Sequence, residues 1–304
     1  MRDKTSVLLV IGAMFCFGTM ALFTREANAD ILTIATWRAI IVAIVFGLWA
    51  IWREGGVSAL IPTREIARIG TPYGLFLGLA SSSFVGGYAL TTVANTIFLH
   101  NLAPIVAFPL AYRMFRERAD SDAVAGSVIA ILGVGLLSGV TLFHFSHYTD
   151  GRFLLGDFFA VISAVGYAGV LVWTKMTRRA NLPILGVLFY AWTIAAAALI
   201  VICLLFGSLN ISGDALIWTL GLAVVCTNIP FYLLNKGMQR LGAGVAALLS
   251  MTEVLFATAI GAIYYSEALA PVGWFGGALV AVGVLYPFMN KGSGSRRAMP
   301  AVDA

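Results

Sequence analysis

His100, Asn101 and Glu253 stand mid-way along long apolar stretches, and Arg38 stands about two turns inside another. An ionisable group at the centre of a bilayer-length segment costs about 2.5–3.5 kcal/mol on insertion scales, so such groups face a cavity or a partner. Imidazole, with an ordinary pKa of about 6.5, can carry a proton near neutrality or hydrogen-bond a solute. Glu253 can hold a cation or exchange a proton. Arg38 can bind a carboxylate, pair with Asp157, or snorkel to the surface. For His100 and Glu253 the competing reading is structural: a neutral side chain bonded to a neighbouring helix.

Tyr88 and Tyr167 lie near small residues and are candidate walls for a substrate. Trp37, Trp173 and Trp192 sit nearer segment ends and suit an interfacial aromatic belt. Asn228 belongs to Thr227-Asn228-Ile229-Pro230, where proline removes a backbone donor and frees a carbonyl. Pro104 and Pro109 are expected to break the His100 segment in the same way, and Gly86-Gly87 is a candidate hinge. Glu117 and Glu267 mark the ends of two segments, where each can cap the next helix or gate one face.

Other chemistry finds little support. Leu155-Gly156-Asp157 has Leu154 where an intramembrane aspartyl protease carries glycine, and neither HExxH nor GxSG occurs. No Walker motif is present. His144, His147 and Asp150 read as a surface loop, and no metal or cofactor is expected. Cys16, Cys203 and Cys226 lie inside apolar segments without a CxxC pair and read as packing residues.

Of the 304 residues, 60% are hydrophobic and 11% charged, against roughly 25% charged in soluble chains. Ten apolar segments, at 6–24, 31–51, 69–89, 92–114, 123–143, 155–175, 183–206, 215–234, 243–264 and 272–289, are each near the length that spans a bilayer. The first is too long for a signal-peptide core and is read as a retained helix. With both termini cytoplasmic, sixteen of the 19 Lys and Arg residues fall inside, leaving Arg25, Arg38 and Arg152. The scattered positive charge thus reports topology and gives no nucleic-acid patch. The tail, 291–304, reads as flexible.

A shift of 150 residues lays Glu117 on Glu267, Gly126 on Gly276, Gly133 on Gly283 and Val134 on Val284. The expected domains are therefore 1–146 and 147–290. Five helices per repeat is an odd number, so the second copy is inverted, an arrangement that in transporters holds substrate near the midplane between halves. The glycine rows of the fifth and tenth helices read as scaffold.

With Phe17-Gly18, Arg38, Pro104, Arg116-Glu117, Gly242-Ala243, Ala246-Ala247, Glu253 and Ser266-Glu267 in this order, the chain resembles the drug/metabolite transporter superfamily and, within it, the EamA family. Val254 departs from the pattern, standing where the family carries proline. The resemblance implies an all-α integral membrane exporter of ten helices in two inverted five-helix repeats, working by alternating access in a bacterial inner membrane. It also implies that helices 1 to 4 and 6 to 9 enclose the cavity. Within the family the chain looks most like the YddG type, exporters of aromatic and other neutral amino acids. The expected partners are thus a small-molecule substrate, lipid and, as a candidate coupling ion, protons.

Overall fold

The computed structural model describes residues 4–54, 56–117, 120–139, 151–238, 241–266 and 271–289, with the side chains of all of these but 21, 88, 89, 93 and 94. Glu267, His144, His147, Asp150, the 291–304 tail and the side chain of Tyr88 lie outside that description.

The chain begins with α1 (Lys4–Gly18) and α2 (Met20–Ala27), followed by α3 (Ile31–Glu54) and α4 (Arg64–Leu90). Next come α5 (Val93–His100), α6 (Ala103–Phe115) and α7 (Ser121–Ser138). The second half carries α8 (Gly151–Arg179), α9 (Ile184–Phe206), α10 (Gly213–Ala223), a π turn (Val224–Asn228) and α11 (Ile229–Gly237). It ends with α12 (Ala243–Ser250), α13 (Thr252–Tyr264) and α14 (Pro271–Met289). Starts are set by side-chain caps: Thr63, Thr92 and Ser212 accept from Ile66, Asn95 and Ala215 amides at 3.1–3.2 Å.

Among the described residues, 9 helical paths are long and apolar enough to cross a membrane. The 27-residue α4 is long enough but carries Thr71, Pro72, Tyr73 and Ser81–Ser82–Ser83, which lower its hydropathy. Its polar residues are shielded by packing against α8 and α9 along its length. Many outward-facing positions are large and apolar, as at Ile263 (84% exposed), Phe206 (80%) and Trp52 (77%).

Helix pairing defines two faces. Gly156 meets Thr91 while Thr174 meets Tyr73, so α4 and α8 are antiparallel. Thr33 donates to the Ser208 carbonyl at one end of the α3–α9 pair and Gly186 meets Ala59 at the other. Gly237 packs on Ser6 and Leu9, which makes α1 and α11 antiparallel too. One face therefore carries Lys4, Arg53, Arg64, Arg68, Arg113, Arg116, Lys175, Arg178, Arg179 and Lys236. The opposite face carries Arg25 and Arg152.

The packing repeats under the 150-residue shift. A methyl group added at Gly126 would lie 2.3 Å from the Gly283 carbonyl oxygen, and one at Gly276 would lie 2.7 Å from that of Gly133. Since 126 maps to 276 and 133 to 283, these are one contact seen twice across the α7–α14 pair. Likewise α4 on α8 is matched by α10 and α11 on α2 and α1, and α6 on α8 by α13 on α1. Where water does not drive association, such close backbone approach is what holds helices together. Gly133→Val is expected to push α14 away from α7, costing about 1–3 kcal/mol or more. Size-exclusion chromatography should then show loss of the monodisperse species, whereas Gly277→Ala, which meets only ordinary contacts at 3.7 Å, should be tolerated.

Four paths are interrupted near mid-depth. The segment expected at 92–114 breaks at Asn101-Leu102, with Pro104 at the start of α6, while Pro109 lies inside the unbroken α6. The path through 243–264 breaks at Met251 without any proline. There the Ser250 and Thr252 hydroxyls donate to the Ala247 and Leu249 carbonyls at 2.7 and 2.8 Å, and the backbone tightens to three-residue bonds. The first path breaks at Thr19, whose hydroxyl donates to the Cys16 carbonyl at 2.7 Å. The eighth loosens into the π turn before Pro230, and Thr227 donates to the Leu222 carbonyl at 3.1 Å. At the candidate hinge, Gly86-Gly87, α4 runs unbroken through both residues. Those glycines instead admit Phe159 and Thr96 at close range.

Candidate functional site

All four breaks adjoin one cavity of about 90 Å³. A water needs about 10–15 Å³ by this measure, so the space holds several waters or a small solute. Of the residues expected at a site, Arg38, His100, Tyr167 and Glu253 line it. Phe17, Met20, Leu77, Ala80, Ser81, Phe84, Val170, Trp192, Thr227 and Phe231 complete the wall. Helices α7 and α14 contribute nothing to it, in keeping with their glycine-packed role.

Arg38 does not snorkel and does not pair with Asp157. Its guanidinium bends toward the cavity, where the two terminal nitrogens meet Met20 Sδ at 3.6 Å and Ser81 Oγ at 3.4 Å. Both are weak or neutral acceptors, and the Arg38 Nε is buried without any. Asp157 is satisfied elsewhere, accepting from Thr91 Oγ1 at 2.7 Å and Asn95 Nδ2 at 3.3 Å. Glu253 opens α13 just past the Met251 break and faces the same cavity, with no hydrogen bond or ion pair among the described residues. One cavity thus holds a guanidinium and a carboxyl group that do not pair with each other.

His100 closes α5 at the other break. Its ring packs on both Phe84 and Tyr167, with centroids 4.7 and 5.1 Å away, and Nδ1 is 2.9 Å from Ser163 Oγ. The Tyr167 hydroxyl is buried, with the Ser250 side chain facing it at the other break.

Asn101 and Asn228 do not line the cavity. Asn101 Nδ2 donates to the Ile97 carbonyl at 2.9 Å, and Asn228 Nδ2 to the Val42 carbonyl at 3.1 Å; both serve the broken backbone and interhelical packing. Thr227, the neighbour of Asn228, lines the wall instead. Trp192 corrects the expected aromatic belt: it is 1% exposed, mid-helix in α9, and meets Phe231 edge-on at 5.3 Å. Trp37 donates to the Leu209 carbonyl at 2.9 Å, and Trp173 packs on Phe76.

The wall itself carries the repeat. Phe17 and Tyr167, Met20 and Val170, Leu77 and Thr227, and Ser81 and Phe231 are each 150 residues apart, and all eight line the cavity. The charged pair breaks this symmetry, since Arg38 maps to Leu188 and Glu253 to Ala103.

Each face carries a cation on an aromatic ring. At one, Lys175 and Arg179 from α8 both pair with the Glu117 carboxylate, the latter at 3.6 Å, and lie 5.5 and 4.7 Å from the Phe115 ring centroid. Glu117 is therefore not the cap of α7, a role taken by Asp120. At the opposite face Arg25 lies 4.7 Å from the Tyr265 centroid, and Tyr265 donates to Glu26 at 3.2 Å. Burial, then the Glu26 carboxylate, holds the Tyr265 phenol above its ordinary pKa, so its O–H stays a donor. The 150-residue shift lays Phe115 on Tyr265 and Arg25 on Lys175.

A helical bundle with bilayer-length apolar paths, broken helices and a mid-depth cavity carrying Arg38, His100 and Glu253 defines a polytopic membrane protein of the transporter class. The sequence matches the EamA-like transporter family twice, over residues 4–139 and 154–288. The chain belongs to that family. It is 28% identical over 283 residues to an uncharacterized transporter of Archaeoglobus fulgidus, covering 91% of this chain and 93% of that one. It is 26% identical over 196 residues to the uncharacterized transporter YwfM of Bacillus subtilis, covering 63% of this chain and 62% of that one. A solved crystal structure of a protein shares the fold, with a TM-score of 0.78 at 20% identity over 95% of this chain and 99% of that one.

Proposed function

We propose that this transporter exports small zwitterions, aromatic and other neutral amino acids foremost, across a bacterial inner membrane. The observation that carries the reading is the unpaired Arg38 and Glu253 on one aromatic-walled cavity. Arg38 offers its fork to a carboxylate and Glu253 faces an ammonium group. Phe17, Phe84, Tyr167, Trp192 and Phe231 receive an apolar or aromatic side chain.

In this reading α4 is the tenth span, 1–146 and 147–290 are the inverted halves, and 291–304 is a tail. The cation-rich face is cytoplasmic, with both termini on that side. The halves rock about the cavity, alternately releasing the Glu117 and Tyr265 closures, with protons as the candidate coupling ion. A second reading, export of an organic cation, draws on Glu253 and the same aromatic walls, which suit a cation–π site.

The test is flux of radiolabelled phenylalanine and tryptophan into liposomes holding the purified protein, at matched and unequal pH, against protein-free liposomes. Saturable flux above the baseline supports the amino-acid reading, and acceleration by a pH gradient assigns coupling. Baseline flux from folded protein that moves an organic cation overturns the first reading in favour of the second.

A further inference from the structure

We infer that Ser163 is a positioning residue that fixes the proton of His100 on Nδ1 and so turns Nε2 into an acceptor for the donor group of the substrate. The inference rests on the zwitterion reading for the identity of that donor, but its chemical step stands on hydrogen-bond direction alone.

A serine hydroxyl has one proton. Ser163 Oγ lies 2.6 Å from the Ala160 carbonyl, an oxygen that can only accept, so the hydroxyl proton is committed there. The same oxygen is 2.9 Å from His100 Nδ1. With its proton turned away, Oγ meets Nδ1 as an acceptor, and Nδ1 must carry the hydrogen. A neutral imidazole has one N–H, so Nε2 is left with its lone pair. Phe84 and Tyr167 pack against the ring, with centroids 4.7 and 5.1 Å away, and help to hold it in place. Ser163 is itself fully buried on α8, which crosses α4, α5 and α6 without a break, so its oxygen is held on a rigid helix while His100 sits at the end of a broken one.

The consequence is a division of the cavity. Nε2 of His100 and the Glu253 carboxylate, each at the break of its own path, both accept, while the Arg38 guanidinium donates. A substrate is then oriented with its N–H groups toward the two breaks and its carboxylate toward α3. Had Ser163 donated to Nδ1, Nε2–H would oppose an ammonium group and favour a carboxylate, blurring that orientation.

The test reads the tautomer directly. Of the 3 histidines, His144 and His147 are changed to alanine, which leaves His100 as the one source of signal in protein labelled with ¹⁵N-histidine. The full chain in lipid is expected to show protonated Nδ1 and unprotonated Nε2 at neutral pH. In Ser163→Ala the spectrum shifts toward Nε2–H, the phenylalanine KM rises about tenfold, the maximal rate changes less than twofold, and Ser163→Thr restores both. An Nε2–H signal in the parent protein, or an unchanged spectrum in Ser163→Ala, overturns the proton assignment. A shifted spectrum beside an unchanged KM overturns the role in recognition. Absence of phenylalanine flux in the parent protein tells against the amino-acid reading, and the spectrum still decides the tautomer.

Discussion

Arg38→Ala and Glu253→Gln are expected to abolish most phenylalanine flux while acquiring opposite preferences for its two half-charged relatives. Removing one partner of a desolvated charge pair costs about 2–5 kcal/mol, so each variant loses roughly thirtyfold or more in phenylalanine transport efficiency. Phenylethylamine keeps the ammonium and lacks the carboxylate, whereas 3-phenylpropanoate has the reverse. If Arg38 holds the carboxylate, Arg38→Ala loses nothing specific to phenylethylamine and transports it better than phenylalanine. Glu253→Gln should correspondingly favour 3-phenylpropanoate. Arg38→Lys should recover little, since Lys offers a point charge where the planar fork bridges two oxygens. Competition assays with the two analogues measure this. Equal losses for all three substrates in both variants would place Arg38 and Glu253 in folding and remove the basis for the zwitterion reading.

The titratable members of that site stand out in the sequence because a charge inside an apolar run has few structural excuses. Arg38, His100 and Glu253 are visible on that ground alone. Their surroundings are not. Ser163 acts on a histidine 63 residues away, and nothing in the local pattern of α8 separates it from any other small residue facing a helix. Asn101 and Asn228 have the right chemistry and the wrong direction, because backbone carbonyls claim their side-chain amides, that of Ile97 one turn back and that of Val42 on the neighbouring α3. Trp192 shows a reading that the boundaries themselves oppose, since the expected segment 183–206 nearly coincides with α9 and already puts it mid-helix, where an aromatic is a wall and not a belt.

The repeat had more to say than four coincident pairs. Applying the same shift to Tyr167 points to Phe17, and applying it to Thr227 points to Leu77, both of which line the cavity. Symmetry could therefore have found apolar wall residues that chemistry passes over. The break at Met251 shows the opposite limit. With Val254 where the family carries proline, no kink is expected there from the residues, yet the turn is tightened by two hydroxyls whose rotamers no sequence specifies.

Glu117→Gln and Tyr265→Leu are expected to bias the protein toward opening at opposite faces. Glu117 gathers Lys175 and Arg179 beside Phe115, so its neutral amide leaves two neighbouring α8 cations against the end of α6 with no anion to hold them there. Tyr265→Leu removes both the ring under Arg25 and the donor to Glu26, loosening α13 from α2. A partly buried ion pair backed by a cation–π contact contributes about 1–2 kcal/mol, enough to move a two-state population five- to thirtyfold. With Cys16, Cys203 and Cys226 replaced by alanine and Ser81→Cys placed on the cavity wall, a membrane-impermeant thiol reagent reports opening from whichever side it is applied. Glu117→Gln should speed labelling from the Lys175 face and slow it from the Arg25 face, and Tyr265→Leu should do the reverse. A shift of the same sign in both variants would mean that the two closures stabilise one bundle together instead of opposing each other. The rocking mechanism would then need a different pair of contacts to hold its end states. Opposite shifts would make Phe115 and Tyr265, brought into register by a 150-residue repeat, two copies of one gate.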